Sequence, residues 1–106
     1  MKSRIMYIER KAGSISGEAR IGRVKFSKTG RTMYYDGKEF VKIKSGFKDN
    51  CIETSTNDEY WISGCKKDGS DALYKPKPTP IDDDVREEYW SVIRNRADLK
   101  NNTTAN

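Results

Sequence analysis

The pair Asp36-Gly37, set between the β-prone runs TMYY (32–35) and KEFVKIK (38–44), constrains this chain more than any other feature. Asp-Gly flanked by hydrophobic residues signals a two-residue hairpin whose backbone twist matches that of the strands it joins. A second turn signal, SKTG (27–30), precedes it, with Gly30 suited to a positive φ. Ahead of that, 20–26 sets Val24 and Phe26 on one face against Arg23 and Lys25 on the other. The stretch 21–43 is therefore expected to be a twisted antiparallel meander. Gly22 marks a bulge or a close approach of the backbone, because a glycine inside a strand weakens packing unless geometry asks for it. In the third strand Val41 and Ile43 are expected to face inward, and Phe40 to point outward with Lys42 and Lys44.

The pattern continues on both sides. RIMYIE (4–9) is apolar on both faces, Ile5 and Tyr7 against Met6 and Ile8, which suits a strand covered on both sides. KAGSISGE (11–18) reads as a loop. Short strands are expected at 51–53, 60–65 and 72–74, with polar turns at 45–50, 56–59 and 66–71. KPKPTP (75–80) is an extended connector, since three prolines in six residues exclude both a helix interior and a central strand. Beyond it, Asp82, Asp83 and Asp84 put negative charge at a helix start, Asp84 and Glu87 are spaced as an approximate capping box, and Ile81, Val85, Tyr89 and Ile93 recur every four residues. The pattern predicts a helix over about 82–95, with Val92 beside its apolar stripe and Trp90 at the border. Three aspartates invite a divalent cation, but favourable charge at a helix start explains them without one.

The fold class is thus mostly β: a small SH3-like barrel, or a strongly coiled antiparallel sheet of five or six strands, with one C-terminal helix. Residues 1–96 form one domain and 97–106 a flexible polar tail. A chain of 106 residues with 34% hydrophobic and 35% charged residues supports one modest core. Val24, Phe26, Met33, Val41, Ile43, Trp61, Val85, Tyr89 and Ile93 are expected to fill it.

Histidine is absent, which removes Ser-His-Asp and Cys-His nucleophiles, histidine metal ligands and imidazole acid–base chemistry. Cys51 and Cys65 lack a C-x-x-C pairing and read as free core thiols rather than as a zinc set or disulfide. SKTGRT resembles a phosphate loop only superficially, because it lies between strands. No cofactor and no metal is implied, and an enzyme is disfavoured. No stretch approaches the roughly 18 apolar residues of a membrane span, and MKSRIMYIERK lacks the apolar run of a secretory signal, so a cytoplasmic location is expected.

Charge is the functional signal. Residues 1–48 hold 13 Lys or Arg against 4 Asp or Glu, a net +9, whereas 49–106 hold 8 against 12, a net −4. Arg20, Arg23, Lys25, Lys28, Arg31, Lys38, Lys42 and Lys44, interleaved with Tyr34, Tyr35 and Phe40, compose a basic, aromatic-bearing sheet face. Such a face suits an acidic protein or another polyanion, and single-stranded nucleic acid is the alternative, its phosphates met by cations and its bases by rings. Tyr60, Trp61, Lys66 and Lys67 are candidates for a small-ligand site, with lysines at the rim of an aromatic pocket. The outward set expected to matter most is Arg23, Lys25, Arg31, Lys42 and Lys44.

Three segments, GRVKFSKTGRTMYYDGKEF, EYWISGCKKDGSDALY and IDDDVREEYW, together resemble a small uncharacterised bacterial protein family of about 100 residues. Some of its members carry an isoprenoid-pathway synthase label. The resemblance covers roughly residues 20 to 94 and implies a compact self-sufficient domain. It brings no catalytic residues, and this chain has neither the length nor the cofactor motif of a thiamine-dependent synthase.

Overall fold

A computed structural model describes residues 2–44, 49–72, 74 and 77–105. Six strands, β1 (Lys2–Arg10), β2 (Ala19–Phe26), β3 (Thr32–Tyr35), β4 (Lys38–Lys42), β5 (Cys51–Glu53) and β6 (Glu59–Gly64), each pair antiparallel with the next. β6 returns to pair with β1, Met6 opposite Gly64 and Arg10 opposite Tyr60, and closes a small SH3-like barrel. Asp36 and Gly37 adopt φ of 54° and 73°, the left-handed pair that a two-residue hairpin requires. The expected turn at 45–50 and strand at 72–74 lie partly outside the described residues.

That hairpin sets a register different from the one expected for β4. Tyr35 opposes Lys38, so Phe40 lies opposite Met33, which itself lies opposite Phe26. Directly opposed residues share a face, and Phe40 therefore enters the barrel, where it is fully buried, while Val41 and Ile43 are only half-buried. Met6, Ile8, Val24, Met33, Phe40, Cys51, Tyr60 and Ile62 fill the interior, with Phe40 and Tyr60 edge to face at 4.7 Å.

The apolar residues form two cores, not one. β1 is covered on both sides, as its two apolar faces imply. Outward-facing Ile5 and Ile21 pack beneath Ile81, Val85, Tyr89, Trp90 and Ala105. Phe26 borders the first core and Ile93 the second, both half-buried, and Trp61 is half-buried on β6.

The segment over the second core is helical from 83 to 93, but irregular. A 3₁₀ turn, Asp83–Val85, leads into one α turn, Arg86–Glu88, and then a π-helical turn, Tyr89–Ile93. The wider turn lets consecutive Tyr89 and Trp90 both enter the core, edge to face at 5.1 Å, and leaves Val92 exposed. The expected capping box of Asp84 and Glu87 does not form: Asp84 lies inside the 3₁₀ turn, and neither Asp82 ahead of that turn nor Val85 ahead of the α turn makes a side-chain cap bond. Of the expected flexible tail, residues 97–99 and 104–105 are in regular structure. Ala97–Leu99 make a 3₁₀ turn, and β8 (Thr104–Ala105) pairs with β7 (Thr79–Pro80). The Trp90 indole donates to the Asn102 carbonyl at 3.0 Å, and the Ala105 methyl is buried in the second core. Among the described residues no helix is long and apolar enough to cross a membrane.

Gly22 is the close approach that its position suggests. A Cβ there would overlap the Asp82 carboxylate and the Tyr35 ring, which meet directly above it. Gly22→Ala is expected to separate the two and to cost about 1–3 kcal/mol by overpacking. A lower urea midpoint at an unchanged denaturant slope is the measurement that checks it.

Candidate functional site

The predicted cations divide between the two ends of the barrel, and the ends differ in how those charges are answered. At the end bearing the 36–37 turn, a cavity of about 100 Å³ is lined by Ile8, Arg10, Glu18, Arg20, Tyr35, Asp36, Lys38, Phe40 and Tyr60. Every cation there has a carboxylate. Arg10 Nη2 lies 2.9 Å from Asp58, Arg20 Nη2 lies 2.6 Å from Asp82, and Lys38 Nζ lies 3.2 Å from Asp36. The Tyr35 hydroxyl donates to the other Asp82 oxygen at 2.5 Å. Burial, reinforced by that carboxylate, pushes the Tyr35 phenol well above its ordinary pKa, so it stays a donor. Arg23 reaches Glu88 at 2.7 Å. Arg20 and Arg23 thus tie β2 to the helical segment, and their charges are spent within the molecule.

The opposite end carries the 27–30 turn, the start of β1 and the end of β4. Lys2 lies opposite Phe26 and Arg4 opposite Val24 on β2. Lys42 lies opposite Cys51, and its amide donates to the Arg31 carbonyl at 3.3 Å. Lys25, Lys28, Arg31, Lys42 and Lys44, with Lys2 and Arg4, are all exposed. None of the seven makes an ion pair or side-chain hydrogen bond with another described residue. Between them an open cleft of about 620 Å³ is lined by Lys2, Phe26, Ser27 and Lys28, and it continues along Arg4, Thr29 and Gly30. Lys2 and Arg4 were not singled out by the sequence, and Phe26 was expected only as a core residue. Their signal was the antiparallel return of β1, which brings the chain's first cations beside the 27–30 turn.

The aromatic part of the expected face is largely withdrawn. Phe40 is fully buried inside the barrel, contrary to expectation, and Tyr35 is engaged by Asp82. Tyr34 remains half-buried on the outer face, opposite Lys25. The four candidates for a small-ligand site are dispersed. Tyr60 points into the barrel and is buried, and Trp61, on the other face of β6, donates to Ser63 at 3.1 Å. Lys66 and Lys67 lie exposed in the following turn. A cavity of about 270 Å³ beside that turn is lined instead by Asp68, Gly69, Ser70, Asp71, Ala72, Lys77, Thr79 and Ala105.

A buried charged pair was also missed. Glu9 and Lys11 are each 1% exposed, their charged groups 3.1 Å apart. The Glu9 carboxylate also accepts from the Tyr7 hydroxyl and the Gly17 amide, both at 2.8 Å, and Lys11 Nζ donates to the Ile15 carbonyl at 2.7 Å. Burial, then Glu9, pushes the Tyr7 phenol far up, so it remains the donor. These bonds fold the loop at 11–18 onto the end of β1; the arrangement is structural.

Both cysteines are free thiols. Burial pushes Cys51 and Cys65 up to about 12, with Asp49 and Asp71 respectively adding to it, so both stay protonated near neutral pH and are poor nucleophiles. Among the described residues no group of three or more Cys, Asp or Glu side chains is placed to hold a metal ion. Comparison with protein-family models, with curated proteins and with solved structures finds no match for this chain.

Proposed function

We propose that this chain is a noncatalytic binding module that engages a polyanion at the barrel end formed by the 27–30 turn, the start of β1 and the end of β4. One observation carries the reading: Arg10, Arg20, Arg23 and Lys38 are each matched to a carboxylate, whereas the seven cations clustered at this end have no such partner among the described residues. Exposed like charges repel one another and give nothing back in stability, so their concentration at one end favours an external anion, an acidic protein surface or nucleic acid. Two protonated thiols suit a reducing, cytoplasmic setting.

Titration of the protein with heparin, with single-stranded DNA and with duplex DNA at two salt concentrations tests the reading. Affinity should fall as salt rises, with a slope of about −0.9 per duplex phosphate neutralised and about −0.7 per single-strand phosphate. Lys28→Ala with Arg31→Ala should weaken binding and flatten that slope, whereas Lys38→Ala, whose cation already faces Asp36, should change neither. Absence of binding at low salt, or equal loss from both sets of substitutions, would reject the proposal.

A further inference from the structure

We infer that the polyanion is a single-stranded nucleic acid, one base of which enters the cleft against Phe26 while the flanking phosphates meet Lys2, Arg4 and Lys28. The inference rests on the polyanion reading above and narrows it to one class of partner. A partner held by charge alone, such as a polysaccharide sulfate or an acidic peptide, would find all it needs on the exposed cations and would have no use for an aromatic floor. Here Lys2 and Lys28 flank one, with Arg4 further along the cleft. Phe26 is half-buried, packed on its inner side against the barrel core, and open to the cleft shared with Lys2, Ser27 and Lys28.

The ring is held before any ligand arrives. Phe26 sits between Lys2 on β1 and Met33 on β3, and the turn beyond it is closed by its own bonds. The Ser27 amide donates to the Thr32 carbonyl at 2.9 Å, and the Ser27 hydroxyl accepts from the Thr32 amide at 3.2 Å. A fixed ring offers its face to a base with little ordering cost, and any base has a face to stack. Access then decides between strands: bases in a duplex are stacked and paired, so a recessed ring reaches only an unpaired one. Specificity for base identity should be weak, because the Ser27 and Thr29 hydroxyl oxygens already accept from the Thr32 and Arg31 amides and bond each other within the turn. An anionic bilayer is a poorer occupant. Among the described residues the exposed large hydrophobics are Ile15 and Val92, which lie in the 11–18 loop and the C-terminal helix and not at the basic end, where insertion into lipid would need them.

The test compares a labelled oligothymidine, its duplex, heparin and phosphatidylserine vesicles, using wild type, Phe26→Leu and Phe26→Trp. Phe26→Leu keeps an apolar side chain but removes the π face. It should weaken single-strand binding roughly tenfold and leave heparin binding unchanged, and Phe26→Trp should restore or exceed the wild-type affinity. An oligonucleotide carrying one 2-aminopurine should lose fluorescence on binding wild type, a readout that stands even if the leucine variant fails to fold. Equal single-strand affinity for wild type and Phe26→Leu, duplex binding as tight as single-strand binding, or binding to vesicles without binding to the oligonucleotide would each overturn the inference. In those cases salt-dependent heparin binding would still uphold the polyanion reading; loss of heparin and nucleic acid together at low salt would remove both.

Discussion

Lys11→Met is expected to cost about 3–5 kcal/mol of folding free energy, a large fraction of what a domain of this size possesses. The ammonium lies 3.1 Å from Glu9, and neither residue is reached by water. Removing it strands a carboxylate that keeps the Tyr7 and Gly17 donors but no opposite charge, and an uncompensated buried charge dominates such losses. The substitution also removes the donor to the Ile15 carbonyl, loosening the 11–18 loop. Glu9→Gln combined with Lys11→Met should be less damaging than Lys11→Met alone, because the neutral amide leaves no unpaired buried charge, although its single oxygen can accept from only one of the two donors, Tyr7 or Gly17, which bond different carboxylate oxygens. Urea denaturation of the single and double variants checks this. If the double variant is as unstable as the single one, the energy resides in packing rather than in the charge.

Phe40→Ala is expected to destabilise the protein by about 3–5 kcal/mol, with Val41→Ala clearly milder. The ring is fully buried, packs edge to face on Tyr60, and sits opposite Met33 on one side and Glu53 on the other. Truncation leaves a void in the centre of a barrel whose walls are tied by hydrogen bonds and cannot close around it. Half-buried Val41 lines no such centre. The reverse ranking, Val41→Ala worse than Phe40→Ala, would contradict the register of β4. Thermal or urea unfolding of the two variants distinguishes them.

That register was legible in the sequence in a way that hydrophobic alternation alone obscures. Taking Val41 and Ile43 as the inward pair follows the β-branched residues of KEFVKIK, whereas a two-residue turn at 36–37 forces 35 opposite 38 and 33 opposite 40. If Met33 is core, Phe40 must be core too. Turn chemistry is local and strict, so Asp36-Gly37 and Gly22 could be read correctly from single positions. The two-sided burial of β1 likewise followed from its two apolar faces. Residues whose role depends on distant partners could not be read this way. Lys11 looks like an ordinary loop lysine until Glu9 lies beside it in a dry site, and Ala105 looks like tail until Trp90 anchors Asn102. Charge told the same story in part. Arg20 and Arg23 counted as free cations in the sequence because Asp82 and Glu88 could be matched to them only in space, whereas Lys38 meets Asp36 locally across the hairpin turn. Lys2 and Arg4, remote in sequence from the 27–30 turn, become its neighbours only when β1 folds back along β2.

Closure of the barrel also bears on how the chain survives its own synthesis. β1 precedes the other barrel strands, yet its second hydrogen-bonding edge is covered only when β6 arrives. Until then a strand apolar on both faces presents an open edge, the template on which nascent chains join one another. Charge sits at both ends of that edge, Lys2 and Arg4 at its start and Glu9 to Lys11 at its close. A second copy pairing along it in parallel register brings like charges together. The same residues that later serve the basic end and the buried pair thus guard the strand during the interval in which it has no partner.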